Sequence, residues 1–454
     1  MNSDDRSARE RARLMDVERA VPTSRLSRLF RVGTAASALG AATLGGRLRG
    51  RGAGLGAADL ADLTRLVERL GELKGVAMKA GQILGYIDPT LPPELRGMLS
   101  LLQTAAPASP FSAIEAALRE AFGQRADELL AGLERAPIAV ASIGQVHRAH
   151  LGGGSVAVKV RHPGIVEALR ADFATAALGS IFARALMPGA GQSVQSFIDE
   201  ARSAMLEETD FALEADRQRR FGAWFADHPV IRVPAVERAW CADAVLTTRW
   251  SAGRSLDRLL AEDPPQHTRD RLGVALFELY VGTLYRRGAF HADPHPGNYA
   301  FDSEGRVIVY DFGCVRSFDR SAVRALAALV AAVRRDEPAA MEEAFASFGA
   351  SLPRDREGSA HVLALLRGFF APLLQPGARR IEAGAGFEAQ HLMRDKRALM
   401  QLGLPGRLLF LFRIRFGLYA VLARLGASAD WSALESGWAA EALGRGGDSL
   451  PAIA

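Results

Sequence analysis

Leu60, Leu63, Leu66, Val67, Leu70, Leu73 and Ala77 recur at steps of three and four residues. That is the period of a helix with one apolar stripe, and Asp59 stands in front of it as an N-cap. Pro89, Pro92, Pro93, Pro107 and Pro110 mark loops beyond it, and residues 110–133 predict one or two short helices broken at Gly123. The pattern then shortens. Residues 145–151 and 156–160 read as strands around a turn at Gly152-Gly-Gly-Ser155. Residues 230–238 and 244–250 read as two more strands, and Ser251-Ala-Gly253 reads as a hinge. Helical spacing covers residues 163–187, 193–227 and 268–287. It resumes from Arg320, with breaks at Pro353, around Pro372 and Pro376, and at Gly403 to Gly406. The expected fold class is α+β, with a flexible basic arm over 1–58, a helical extension over 59–135, a strand-bearing lobe over 136–250 and a mainly helical lobe over 251–454.

At 454 residues, 49% hydrophobic and 24% charged, the chain suits a globular protein with more than one lobe. A net charge of +5 is modest, and no finger, RNA-binding or basic-zipper motif is present, so no nucleic-acid partner is expected. Cys241 and Cys314 are too few for a disulfide framework or a zinc site, which fits a reducing cytosol. The charged N-terminus shows no secretory signal. Residues 20–51 hold six Arg and no Asp or Glu. Such an arm suits peripheral contact with the anionic inner surface of a membrane; a flexible Gly/Ala/Arg linker has the same composition. The apolar run 404–422 is cut by Arg407, Arg413 and Arg415 and reads as a core helix.

Composition also singles out rare residues. Asn2 and Asn298 are the only asparagines, and Lys74, Lys79, Lys159 and Lys396 the only lysines, so 52 of the 56 basic residues are Arg. A chain that uses Arg wherever a positive charge suffices keeps Lys where a compact ammonium is required. Asn298 and Lys159 each fall inside a motif. His291-Ala-Asp293-Pro-His-Pro-Gly-Asn298, followed by Val309-Tyr-Asp311-Phe-Gly313, has the phosphoryl-transfer layout of protein kinases. Asp293 stands where a hydroxyl proton is accepted or a nucleophile oriented. Asn298 and Asp311 stand where oxygen ligands hold Mg²⁺. Val156-Ala-Val-Lys159 matches the strand that carries a phosphate-binding Lys. The loop before it, Ala141-Ser142-Ile143-Gly144, occupies the place of the Gly-rich phosphate loop but is rich in Ala.

Together these stretches resemble the UbiB family of atypical, protein-kinase-like proteins. The resemblance covers roughly residues 59–330 and rests on Lys79-Ala-Gly-Gln82, Ala141-Ser-Ile-Gly-Gln-Val-His147, Val156-Ala-Val-Lys159, Glu208-Thr-Asp210, the 291–298 stretch and Asp311-Phe-Gly313. Val140 departs from the family loop, which carries Ala there. The resemblance implies a two-lobed kinase-like fold with an N-terminal helical extension and a largely helical C-terminal lobe. It implies binding of ATP or ADP with Mg²⁺, ATPase activity, and support of ubiquinone or related isoprenoid-quinone biosynthesis alongside pathway proteins or lipid precursors. It also implies that the Lys79–Gln82 helix covers the protein-substrate site. Glu208, Asp210 and Glu214 are candidate partners for Lys79 and Lys159, without assignment of which acid meets which Lys. Two alternatives keep the same motifs: a protein kinase acting in trans, and a nucleotide-binding scaffold of a membrane-associated biosynthetic complex.

Overall fold

The computed structural model describes residues 108–174, 202–203, 205–348, 356–382 and 406–444. In chain order the elements are α1 (Phe111–Phe122), α2 (Ala126–Ala131), β1 (Ala139–Val140), β2 (Gly144–Leu151), β3 (Gly154–Arg161), α3 (Ile165–Ala174), α4 (Phe211–Trp224), β4 (Ile231–Arg232) and β5 (Val245–Arg249). Next come α5 (Leu256–Ala261), α6 (Gln266–Phe277), a π-helical turn (Glu278–Gly282), α7 (Thr283–Arg287), β6 (Ala289–His291), β7 (Tyr299–Phe301), β8 (Val307–Val309) and β9 (Val315–Ser317). The chain continues through α8 (Arg320–Arg335), α9 (Pro338–Ser347), α10 (Arg356–Leu374), β10 (Arg379–Arg380), α11 (Gly406–Leu425), β11 (Ser428–Ala429) and α12 (Trp431–Gly444). The architecture is α+β and kinase-like, in two compact units. The expected arm over 1–58, and the extension up to residue 107, lie outside the described residues.

The first unit contains residues up to 188, 201–216 and 235–250. Its antiparallel sheet runs in the order β1-β2-β3-β5. β3 alternates: Val156, Val158 and Val160 are buried and pack with Ile114, Leu118 and Leu129 of the covering helices. The intervening residues, Lys159 among them, point to the opposite face, because successive strand side chains alternate. The helix expected over 193–227 is interrupted at Glu208 and Thr209. The Thr209 hydroxyl donates to the Leu206 carbonyl at 2.6 Å, and the Asp210 carboxylate accepts from the Leu213 amide at 2.9 Å. These bonds end one helix and cap the next, α4. The strand expected over 230–238 shrinks to Ile231–Arg232. Pro234, with no N–H to donate, cannot continue it.

The second unit contains residues 189–200, 217–234 and 251–454. β4, β8 and β7 form a small mixed sheet, and β6 pairs with β9. One apolar core joins α6, α8, α10, α11 and α12. The helix expected over 268–287 runs unbroken, but its middle widens into the π-turn. α10 takes Pro372 into its final turn and stops at Leu374. The residues expected as a hinge, Ser251-Ala-Gly253, begin this unit's last segment, directly after Trp250. The Tyr310 hydroxyl donates to the Ser251 carbonyl at 2.7 Å, and a Cβ on Gly253 would lie 2.6 Å from that of Ala300.

Candidate active site

In the first unit, the strand period and the helix cap together place one ion pair. Lys159 leaves β3 on the face away from the core, and Glu214 lies in the first turn of α4, just after the Asp210 cap. The Lys159 ammonium donates to both Glu214 carboxylate oxygens, at 2.8 and 2.9 Å, and lies 5.0 Å from the Phe211 ring centroid. The Glu214 side chain is 1% exposed and that of Lys159 16%. Of the three acids proposed from sequence, Glu214 is therefore the partner of Lys159. Glu208, six positions before Glu214, is buried, while Asp210 is exposed and serves as the helix cap. Lys79 and Gln82 lie outside the described residues.

The Ala141–Gly144 loop closes on itself through the Ala141 amide, which donates to the Gly144 carbonyl at 2.8 Å. The His162 amide holds the Ile143 carbonyl at 2.8 Å. Gly144 is pressed between strand and helix: a Cβ there would meet the Val160 carbonyl oxygen at 2.5 Å and Phe211 at 3.2 Å. Below the loop lies a buried polar chain. The Ser109 amide donates to Gln145 Oε1 at 2.6 Å, and Gln145 Nε2 donates to His147 Nε2 at 2.9 Å. His147 Nδ1 then donates to the Glu134 carbonyl at 2.8 Å, which makes the imidazole neutral with its proton on Nδ1. Burial lowers the pKa of His147 from its ordinary value. His162 bridges Ser109 Oγ, at 2.8 Å, and the Ala141 carbonyl, at 3.3 Å. Gln145 and His147 belong to the 141–147 stretch that carries the resemblance, but the sequence assigned neither a role beyond the strand. Polar side chains two apart on the buried face of a strand were the available signal.

In the second unit, Asp293, Asn298 and Asp311 are joined through backbone atoms. His291 is fully buried; its Nδ1 accepts from the Asp293 amide at 3.2 Å, and its Nε2 donates to the Asp311 carbonyl. Asn298 Nδ2 donates to the Asp293 carbonyl at 3.1 Å, which assigns the amide nitrogen and leaves Oδ1 as the acceptor end. The Asn298 carbonyl accepts from the Tyr310 amide at 2.9 Å, just before Asp311. Asp311 Oδ1 accepts from the Gly313 amide at 3.0 Å, and the Gly313 carbonyl accepts from buried Arg217 at 2.9 Å. Phe312 is fully buried, with its ring 5.0 Å from Phe221 and 5.7 Å from His291. Arg217 and His291 thus support the site; His291 opens the 291–298 motif but had no role assigned from sequence, and Arg217 lies outside every motif. The signal for Arg217 is tertiary, since its partner Gly313 is 96 positions away.

The donor set suits a hard cation. Asn298 offers an amide oxygen and Asp311 a carboxylate, the ligand types Mg²⁺ takes alongside phosphate oxygens and water. Among the described residues there is no cluster of three or more His, Cys, Asp or Glu able to hold a metal by itself.

Residues 101–344 match the ABC1 atypical kinase-like domain. The chain is 32% identical over 315 residues to the mitochondrial atypical kinase COQ8B of Rattus norvegicus, covering 66% of this chain and 58% of that protein. It is 29% identical over 308 residues to the mitochondrial atypical kinase COQ8 of Saccharomyces cerevisiae, covering 66% and 61%. It is 30% identical over 293 residues to the chloroplastic protein ACTIVITY OF BC1 COMPLEX KINASE 8 of Arabidopsis thaliana, covering 63% and 38%. The chain therefore spans less than two thirds of the length of these curated relatives. Among solved structures it resembles the Rv3197–erythromycin complex from Mycobacterium tuberculosis, with a TM-score of 0.56 and 30% identity over 80% of this chain and 92% of that one.

Proposed function

Because the chain belongs to the ABC1 atypical kinase-like family, we propose that it binds ATP with Mg²⁺, hydrolyses it, and supports the biosynthesis of ubiquinone or a related isoprenoid quinone. The observation that carries the reading is the linked set Asp293–Asn298–Asp311: the Asn298 amide bonds the Asp293 carbonyl directly, and buried His291 joins the Asp293 amide to the Asp311 carbonyl. Bound Mg²⁺ supplies charge neutralisation for the phosphates. Asn298 Oδ1 and the Asp311 carboxylate hold it. Asp293 orients the attacking hydroxyl or water and accepts its proton. Lys159, positioned by Glu214, contacts the α- and β-phosphates, and residues 141–144 lie over the phosphates.

Lys79 and Gln82 are read as gating residues that keep protein substrates from Asp293, with Glu208 and Asp210 as acidic partners for Lys79. The basic arm over 20–51 is read as a peripheral contact with the anionic inner surface of a membrane. No helix among the described residues is long and apolar enough to cross one.

ATP turnover by the purified chain tests this reading, with and without Mg²⁺, anionic vesicles and a generic protein substrate. Asp311→Asn removes the charge from the metal shell. Groups of this kind contribute about 3 kcal/mol to transition-state stabilisation, so kcat is expected to fall about a hundredfold. Unchanged turnover in Asp311→Asn sinks the metal assignment. Robust phosphate transfer to the generic protein by the unmutated chain would instead support a protein kinase acting in trans.

A further inference from the structure

Two elements outside the sequence motifs grip the loop that carries Asp293. The first is the π-turn. Tyr280 lies at its middle, 2% exposed, and its hydroxyl donates to the Asp293 carbonyl at 3.2 Å. Its ring packs edge-on against His291 at 5.3 Å. The Asp293 carbonyl thus accepts from Tyr280 and from Asn298 together. A π-turn advances the helix by an extra residue and changes the direction of the side chains it carries.

The second element is α11. Gly417 on this helix is buried, and a Cβ built there would lie 2.5 Å from Cγ of Pro294, the residue after Asp293. Glycine is the residue that permits this approach. α11 is itself fixed by its neighbour. Arg415, two residues before Gly417, forms a buried double contact with Glu435 of α12, and the Tyr285 hydroxyl donates to the same carboxylate at 2.7 Å. α12 also supports the π-turn. A Cβ on Gly282 would lie 3.3 Å from the Trp438 ring, and Trp438 packs against Phe277 at 5.5 Å.

We propose that Tyr280 and Gly417 are positioning residues for Asp293, and that α11 and α12 set the catalytic loop from two sides. The helix pair lies beyond residue 344, where the family match ends. It acts directly through Gly417 against Pro294, and indirectly through Trp438 beneath the turn that presents Tyr280. Its catalytic meaning rests on the nucleotide reading above; the grip on the loop does not.

Hydrogen exchange read by mass spectrometry on the full nucleotide-free chain tests the grip. The Ala292 and Asp293 amides are natural reporters, since they donate to the Cys314 carbonyl and to His291. Gly417→Ala is expected to speed exchange across residues 289–300 and to lower kcat for ATP about ten- to a hundredfold with KM little changed, the effect of a misplaced reacting group. Adding Pro294→Ala, which removes the clashing ring atom, is expected to restore part of both. Tyr280→Phe keeps the ring and deletes one hydrogen bond, with a smaller loss in kcat of about three- to tenfold. Wild-type exchange across 289–300 in Tyr280→Phe, or in a folded Gly417→Ala, overturns the proposal. So does a Gly417→Ala defect that Pro294→Ala leaves untouched. The exchange measurement decides the point whether or not the chain turns over ATP, and wild-type turnover is measured separately.

Discussion

Lys159 and Arg161 stand two residues apart on β3 and face the same way, yet they do different work. One nitrogen of the Arg161 guanidinium, Nη1, donates to two backbone carbonyls, those of Thr209 and Asp243, at 2.6 and 3.0 Å. The Lys159 ammonium instead places one compact charge within reach of both Glu214 oxygens. A compact ammonium and a planar guanidinium are not exchangeable in a tight pocket, which fits a Lys here in a chain whose basic residues are nearly all Arg. His147 carries a residue-scale prediction. Burial depresses its pKa, so the folded chain resists the proton that an unfolded His takes up below about pH 6.5. A depressed folded pKa means that this contribution is fully present above the unfolded value and is lost as pH falls towards the folded one. The slope from one such proton approaches about 1.4 kcal/mol per pH unit. Urea midpoints at pH 7.5 and 5.5 are expected to fall further apart in the wild type than in His147→Gln. Equal differences would show that His147 is not the group responsible.

At the scale of elements, α11 and α12 meet through charge as well as apolar packing. The Arg415 and Glu435 side chains are 3% and 1% exposed, and the Arg415 guanidinium lies 5.0 Å from the Phe370 ring. Burial, followed by the charge of Glu435, holds the Tyr285 hydroxyl protonated well above its usual range. Removing one member of a buried pair leaves the other charge uncompensated, whereas replacing both members with apolar groups is far better tolerated. Arg415→Met is therefore expected to destabilise the fold by about 3–5 kcal/mol. Adding Glu435→Leu should recover much of that, less about 1–3 kcal/mol for the Tyr285 hydroxyl left without its acceptor. Denaturant melts of the two variants check this, and a double variant no more stable than Arg415→Met would show that the pair is not the source of the loss.

At the scale of the whole chain, the basic arm expected over residues 1–58 carries a prediction of its own. If the proposed membrane contact holds, six Arg with no acid over 20–51 would contribute about 1 kcal/mol of adhesion to anionic lipid for each basic residue near the surface, weakened by salt. Deleting residues 1–51 is expected to reduce co-sedimentation with anionic vesicles while leaving the melting temperature unchanged. Equal sedimentation by the shortened chain would support the linker reading of this stretch.

The motif order, the α+β class and the kinase-like family were legible in the chain, because metal ligation and phosphate chemistry demand particular residue types at short, fixed spacings. The period of β3 was legible as well, and it determined which way Lys159 points. The choice of Glu214 over Glu208 and Asp210 was not, since it depended on a side-chain cap that restarts the helix at Asp210 and on the sheet that places β3 beside it. Nor could sequence reveal Tyr280 beneath Asp293 or Gly417 against Pro294, pairs separated by 13 and 123 positions. Only tertiary packing brings them together: a widened helical turn in one case, and in the other a close approach whose sole mark in the chain is the absence of a side chain.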